Sequence, residues 1–466
     1  MLSQKTRSSL TITIGTILVV IGTLLLVAFA SGYNFDILSG EIYTTGLALL
    51  NTNPSGATIK VNDRTLSQKT PYRLENIKTG SLDVEYSKAD YHSWKTSFFV
   101  RSGEVTFADY ALLIPTRIEP RQIDSEQNFA QVFNSTDATK AFSIGGSPVS
   151  LFEIKEDNQL RKVAEIPLDT SFKPSLSTTL AAINTDGSAI VLQANYEAGS
   201  ALFWVNTNSG EVVNLSSFLK PNTSQIKFNL RNNRELFGLH EGNLQRINVN
   251  ERSVDNLPLA NITSFNVDND NLYCLENLSP AANGQFYVRY DLNANNRYVL
   301  AQFPESKSPW TIQLSKLNGQ SASALTEPET KSLFVVRQQD GKFLNSNLGS
   351  AVQSPLFSRN GRFLSYEQNG DLKSIDLEFI ERYREVNKSI KSLSWLSDFQ
   401  LLITKPDGLY IVDYTGQNLI KIPPNTSVSE NIQITTDKNN KIVYFIQNSK
   451  LHSYKLEPPG GLINFR

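Results

Sequence analysis

Residues 401–422 read LLITKPDGLYIVDYTGQNLIKI. Three apolar runs, Leu401 to Thr404, Leu409 to Val412 and Leu419 to Ile422, are separated by Pro406-Asp407-Gly408 and Thr415-Gly416. The runs are short and rich in residues that suit a pleated, half-buried surface. The punctuation is turn chemistry, since Pro presets φ and Gly accepts a positive φ. The pattern is therefore strand, turn, strand, turn, strand, and it recurs. Thr185-Asp186-Gly187 precedes Ala189 to Leu192, Ala201 to Val205, the Ser209-Gly210 turn and Val212 to Leu215. Asn360-Gly361 precedes Phe363 to Tyr366, Asn369-Gly370 and Leu372 to Leu377. Asn439-Asn440 precedes Ile442 to Ile446 and Leu451 to Leu456.

Turn signals every 8 to 12 residues over 128–459 predict an all-β sandwich, barrel or propeller. A unit of roughly 40 residues matches one four-stranded propeller blade. Unit starts fall near Asn128, Leu180, Gln225, Ile262, Thr311, Pro355, Lys391 and Asn431, which predicts eight blades, with seven as the alternative. The region resembles the WD40-like or TolB-like propellers of bacterial envelope proteins in architecture, but carries no Gly-His or Trp-Asp signature. The spacing of Glu378 and Arg382 at i and i+4 would suit a short helix over Glu378 to Val386, but the stretch is read as a blade insertion or a long strand connection.

At the other end of the chain, Leu10 to Ala30 is an uncharged apolar run behind Lys5 and Arg7. Such a run is long enough to cross the roughly 30 Å hydrocarbon core as one helix. The basic flank predicts an N-terminus (1–9) in the cytoplasm and the bulk of the chain outside it. Ala28-Phe29-Ala30 also has the small-x-small form of a signal-peptide cleavage site, but the run exceeds the usual core of 7 to 15 residues, which favours an uncleaved anchor. Lipoprotein attachment is excluded, because the single cysteine is Cys274. One cysteine also excludes an intrachain disulfide, so the exported part must be held by its core.

Between a spacer at 31–45 and the repeat lies a compact unit at 46–115. Leu47 to Leu50, the breaker Asn53-Pro54-Ser55-Gly56 and Ala57 to Val61 read as strand, turn, strand; Leu82, Val84 and Tyr86 alternate with Asp83 and Glu85. Phe98 to Val100 and, after Ser102-Gly103, Val105 to Phe107 are further strands, with Tyr91 and Trp94 as core plugs. The unit resembles the PEGA domain, on Pro54-Ser55-Gly56-Ala57 in place of the naming tetrad, Thr70-Pro71, Gly80, the Tyr91 and Trp94 pair, and Gly103. Ser55 replaces the family's Glu, and Asp90 stands where Gly commonly precedes the Tyr. The resemblance implies a prokaryotic envelope setting and no catalysis.

The chain holds 44 Lys and Arg against 45 Asp and Glu, a formal net charge of −1, which argues against a nucleic-acid partner. His92, His240 and His452 are far apart and predict no metal site. Gly145-Gly146-Ser147-Pro148 fails the nucleophile-elbow pattern. No phosphate-binding glycine loop occurs. Asp268 and Asp270 begin a calcium-loop pattern that Leu272 breaks, and read better as a solvated turn. Cys274, beside Tyr273, reads as a small core residue. Sequons such as Asn134 and Asn261 follow from the richness in Asn and Thr. Trp204, Trp310 and Trp395 are candidates for exposed aromatic contacts, with blade core the stronger expectation.

The sequence thus predicts a mainly β, single-pass membrane protein with a PEGA-like domain, a propeller and a tail at 460–466. Its expected role is extracytoplasmic binding, with membrane lipid as partner through Leu10 to Ala30 and an envelope protein or cell-wall polysaccharide as ligand. No catalytic residue, metal or cofactor is assigned. The alternative is a propeller-borne glycan lyase or hydrolase whose carboxylates come from different blades.

Overall fold

The computed structural model describes residues 4–35, 40–124, 126–168, 177–196, 199–277, 284–306, 308–339, 341–379, 381–385, 389–422, 434–437 and 441–456. The chain divides into two units, Met1–Arg117 and Ile118–Arg466.

The first unit opens with one helix, Gln4–Ala30. Its stretch Thr13–Ala30 is long and apolar enough to cross a membrane, and none of it is buried by protein. The Thr23 hydroxyl bonds the Val19 carbonyl at 2.8 Å, so this polar side chain is satisfied within the helix. Gly32, at φ +84°, ends the helix in the left-handed region that glycine adopts without cost.

The expected spacer at 31–45 is not a plain linker. Tyr33–Phe35 pairs antiparallel with the start of Ile42–Asn53, because β-prone Tyr33 and Ile42 leave backbone groups that a ladder satisfies. Strand Ile42–Asn53 then pairs with Tyr72–Lys78 and, in parallel, with Val105–Leu112. A second four-stranded sheet runs Arg64–Lys69, Thr58–Val61, Gly80–Ser87, Trp94–Val100. Leu82, Val84 and Tyr86 are buried and Asp83 is exposed, the period-2 pattern of a half-buried strand. Trp94 stacks on Tyr86 at 5.4 Å and meets Tyr110 edge-on at 5.3 Å.

Among the described residues the second unit is a succession of eight four-stranded antiparallel sheets, the blade pattern of a β-propeller. Their first strands open at Phe129, Ser177, Ser224, Ile262, Thr311, Val352, Ser392 and Ile434. Asn431 lies outside the described residues. The last sheet takes its fourth strand, Pro120–Gln122, from the start of the unit. The unit therefore begins before Asn128, the start expected from the repeat. Glu381–Glu385 is the outer strand of the sixth sheet, paired with Leu372–Asp376, and not a helix. Backbone pairing wins there, and Glu378 reaches Arg362 at 3.1 Å instead of serving a helical ion pair. Val386 lies outside the described residues.

Apolar side chains fill the space between neighbouring sheets. Phe133, Phe142 and Ile144 of the first meet Ile190, Phe203 and Val205 of the second. Trp204, Trp310 and Trp395 are all buried in this core, so none is an exposed aromatic contact. The Trp204 indole donates to the Asn233 carbonyl at 2.9 Å, and that of Trp395 to Leu356 at 3.0 Å.

Candidate functional site

The turns from first to second strand share a device that the sequence reading treated only as punctuation. Ser135 donates to Asp137 at 2.7 Å, Asn184 to Asp186 at 2.9 Å and Ser358 to Asn360 at 2.7 Å. In each, the middle side chain then accepts a backbone N–H two residues on, from Thr139, Ser188 or Arg362. These are Asx turns, which close locally because the short side chain mimics a backbone carbonyl. They also join neighbouring sheets: Asp137 N–H bonds Thr185 O at 3.0 Å, and Asn360 N–H bonds Asp398 at 2.9 Å. At Gly361 an added Cβ would lie 2.3 Å from Lys316 O, so only glycine fits against the fifth sheet.

At this end, a cavity of about 550 Å³ opens between the first strands of the second to fifth sheets. Leu180, Ile183, Phe228 and Leu314 give it an apolar wall; Lys227, Asn266, Asp268, Tyr273, Lys316 and Ser321 supply its polar groups. On the strand Ser224–Asn229, Ile226 is buried in the blade core while Lys227 lines the cavity.

Most of these polar groups are engaged with one another. Lys316 lies 3.5 Å from Asp268 and 3.8 Å from Asp270, and Arg231 pairs with Asp270. The other Asp268 oxygen accepts the N–H groups of Asp270 and Asn271, both at 2.8 Å. The Tyr273 hydroxyl sits 3.0 Å from Ser321 and donates to Asp268 at 3.3 Å. Burial pushes that hydroxyl above its ordinary pKa. Asn266 donates to Ile312 O at 2.7 Å. Lys227 differs: its ammonium has no hydrogen-bond or ion-pair partner among the described residues. Burial alone pulls its pKa below the usual lysine value.

Across the same turns, Arg359 bonds Thr436 at 3.0 Å and faces the carboxylates of Asp398, Asp437 and Asp137. Burial is the larger influence and pulls its pKa down. The sequence reading singled out neither Lys227 nor Arg359. The one usable signal was a cation at an interior strand position flanked by Ile226 and Phe228.

His92 is exposed on the first unit, His240 belongs to the third sheet, and His452 stacks on Phe445 in the last. Among the described residues no group of three or more His, Cys, Asp or Glu could hold a metal ion. Cys274 is fully buried between Phe237 and Val288 in blade core.

The residues of the PEGA-like pattern fall at two ends of the first unit. Pro54-Ser55-Gly56-Ala57 and Thr70-Pro71 come together: Thr70 O accepts Gly56 N–H at 2.8 Å, and Thr70 Oγ1 accepts Ala57 N–H at 3.0 Å while lying 2.7 Å from Thr52 Oγ1. Lys88 donates to the Ser55 carbonyl at 2.5 Å, with its ammonium 5.7 Å from the Tyr91 ring. Tyr91 bridges to Pro115. Gly80 and Gly103 lie at the other end, where Thr79 N–H bonds Thr44 O and Gly103 N–H bonds Thr45 O, both at 2.9 Å. Lys5, Arg7 and Leu10 belong to the helix that ends at Ala30.

No curated protein matches the chain. Solved structures similar to it include an oligogalacturonate lyase in complex with manganese, at 11% identity over 73% of this chain and 98% of that one, TM-score 0.42. The Vibrio parahaemolyticus oligogalacturonate lyase has 8% identity over 73% and 94%, TM-score 0.41. Porphyromonas gingivalis dipeptidyl peptidase 4 has 9% identity over 70% of this chain and 56% of that one, TM-score 0.46. The propeller architecture follows from the sheet order above, and these likenesses add nothing about chemistry. For the first unit the match is by sequence: residues 45–114 fit the family model of the PEGA domain.

Proposed function

We propose that the protein is a single-pass, membrane-anchored binding protein of the cell envelope, with the propeller displayed on the extracytoplasmic side and a ligand recognised at the cavity that Lys227 lines. The anchor reading is supported by an apolar stretch, Thr13–Ala30, that is not buried against the rest of the protein, and the orientation by Lys5 and Arg7 before it. The PEGA domain acts as a spacer. Strand Ile42–Asn53 runs from the helix end toward the Pro54 turn, and at about 3.3 Å per residue Thr45 and Asn53 stand roughly 25 Å apart.

The observation that carries the binding reading is Lys227, a cation with no partner among the described residues, set in a largely apolar cavity. Leaving such a charge unpaired costs stability, and an anionic group on a ligand removes that cost. Carboxylates of an envelope protein or of a cell-wall polysaccharide fit this chemistry. Binding is preferred over catalysis because Asp268 and Asp270 share Lys316 and the Tyr273 hydroxyl sits on Ser321. Those groups are tied to one another, not poised over the cavity.

Two measurements test the reading. A cysteine replacing exposed Asn128 should react with a membrane-impermeant maleimide on intact cells; reaction only after lysis overturns the topology. Full-length protein in detergent should retain an acidic envelope polysaccharide or protein that Lys227→Met does not retain. Equal retention by both removes Lys227 from recognition.

A further inference from the structure

The junction between helix and PEGA domain is built tightly. Ser102 donates its hydroxyl to the Ser31 carbonyl at 2.7 Å, and Thr45 N–H bonds Gly32 O at 2.6 Å. A Cβ on Gly32 would lie 2.3 Å from Thr45 O and 2.5 Å from Gly103 N; one on Gly103 would lie 3.0 Å from Ser31 O. The turn 101–104 is thus pressed onto the end of the helix, and only glycines allow the approach.

Large apolar side chains that the protein leaves uncovered flank that turn. Phe99 is 64% exposed, Val105 47% and Phe107 59%. Singly, an exposed apolar residue is ordinary. Phe99 lies on the strand that enters the turn, in the second sheet, and Val105 and Phe107 on the strand that leaves it, in the first, where they stand in register with half-buried Leu47 and Leu49. Tyr33 and Ile42, also exposed, lie on the short hairpin that leaves the same helix end.

The position of the bilayer follows from the helix. Leu10 to Ala30, at about 1.5 Å per residue, covers roughly the 30 Å hydrocarbon core, which leaves Ser31 in the headgroup layer. Phe99, Val105 and Phe107 are one to three residues from the turn that Ser31 touches, and so within roughly 10 Å of it along a strand. Aromatic side chains are favoured at that depth, where the surroundings change from apolar to wet.

We propose that the edge of the PEGA domain carrying Phe99, Val105 and Phe107 is seated in the headgroup layer of the membrane that the helix crosses, holding the domain against the lipid surface. This rests on the reading of the helix as an anchor. The occupant is the lipid of that same membrane, because a hydrogen-bonded junction continuous with the spanning helix delivers the patch there.

The test uses the full chain in vesicles of three parts phosphatidylethanolamine to one part phosphatidylglycerol, with bimane on single introduced cysteines at Val20, Phe107 or Ala89; native Cys274 is buried and stays unlabelled. Spin-labelled lipids should quench bimane at Phe107→Cys several-fold more than at Ala89→Cys, which lies at the far end of the domain. Adding Phe99→Ser and Val105→Ser should bring quenching at position 107 down toward that at 89. Both substituted residues are solvent-exposed, so the domain keeps its core. Equal quenching at 107 and 89 with strong quenching at Val20→Cys overturns the docking and leaves the anchor standing. Absence of quenching at Val20→Cys overturns both.

Discussion

Arg121 stands in antiparallel register opposite Ser453, so a strand from the start of the second unit completes the sheet formed at its end. The pairing continues as Ile123 N–H bonds Leu451 O at 2.9 Å. Closure of this kind ties the two ends of the unit together and covers a sheet edge that would otherwise offer unpaired backbone groups. Deleting 118–124 should destabilise the propeller by about 2–4 kcal/mol, at roughly 1 kcal/mol for each lost ladder bond. Thermal unfolding of the full chain checks this, and an unchanged midpoint would show that the closing strand contributes nothing.

Trp204 is fully buried, bonds Asn233 O, and has the Arg234 guanidinium 4.9 Å from its ring. Trp204→Ala should cost about 3–5 kcal/mol through the cavity it leaves. Trp204→Phe should cost less, since it keeps much of the apolar area and loses the indole bond. Denaturant midpoints of the two variants should rank in that order.

Lys227 should show opposite effects on stability and binding. Its pKa is depressed by burial, so the folded state holds fewer protons here than the unfolded state, and stability rises with pH between the folded and unfolded values. Lys227→Met should therefore be as stable as the native chain or more so at neutral pH, while losing the anionic ligand proposed above. In the native chain, binding should fall away at a lower pH than it would with an ordinary lysine. Calorimetric titration across alkaline pH reads this directly.

Glu153 gives the reverse sign. Burial pushes its carboxyl up, but the bonds from Lys155 at 2.7 Å and from Arg161 outweigh burial and hold it below the usual carboxylate range. The stabilisation is present above the ordinary glutamate value and is lost as pH falls through the folded one. Glu153→Gln should lower stability at pH 7 and flatten its decline between about pH 5 and pH 3. If native and variant chains lose stability in parallel over that range, the ion pair is not responsible.

Cys274 is buried, and burial raises its thiol pKa well above normal. Thiolate is the reactive form, so a maleimide should modify it only on unfolding. The labelling rate should then rise with denaturant in step with loss of β-sheet signal. Labelling of the native chain within minutes would place Cys274 elsewhere.

Turn chemistry made the repeat legible, because Asp407-Gly408 and Asn360-Gly361 announce strand reversals without any knowledge of partners. The unit at 46–115 was legible for the same reason, with Leu82, Val84 and Tyr86 setting its buried face. What stayed hidden is long-range. Pro120–Gln122 is three residues of ordinary polarity, and nothing local says that it pairs with Lys450–Lys455. Glu381–Glu385 carries charges at helical spacing, and only the neighbouring ladder made it a strand.

By themselves, the residues determined the apolar helix, the strand periodicity and the absence of a disulfide, because each depends on chemistry within a few positions of the chain. The site was decided by tertiary structure. Lys227, Asp268 and Lys316 come from different sheets and line one cavity only because the first strands of those sheets gather around it. Whether Lys227 is paired, and whether Phe99 and Phe107 flank the helix end, depends on distances that no local pattern encodes.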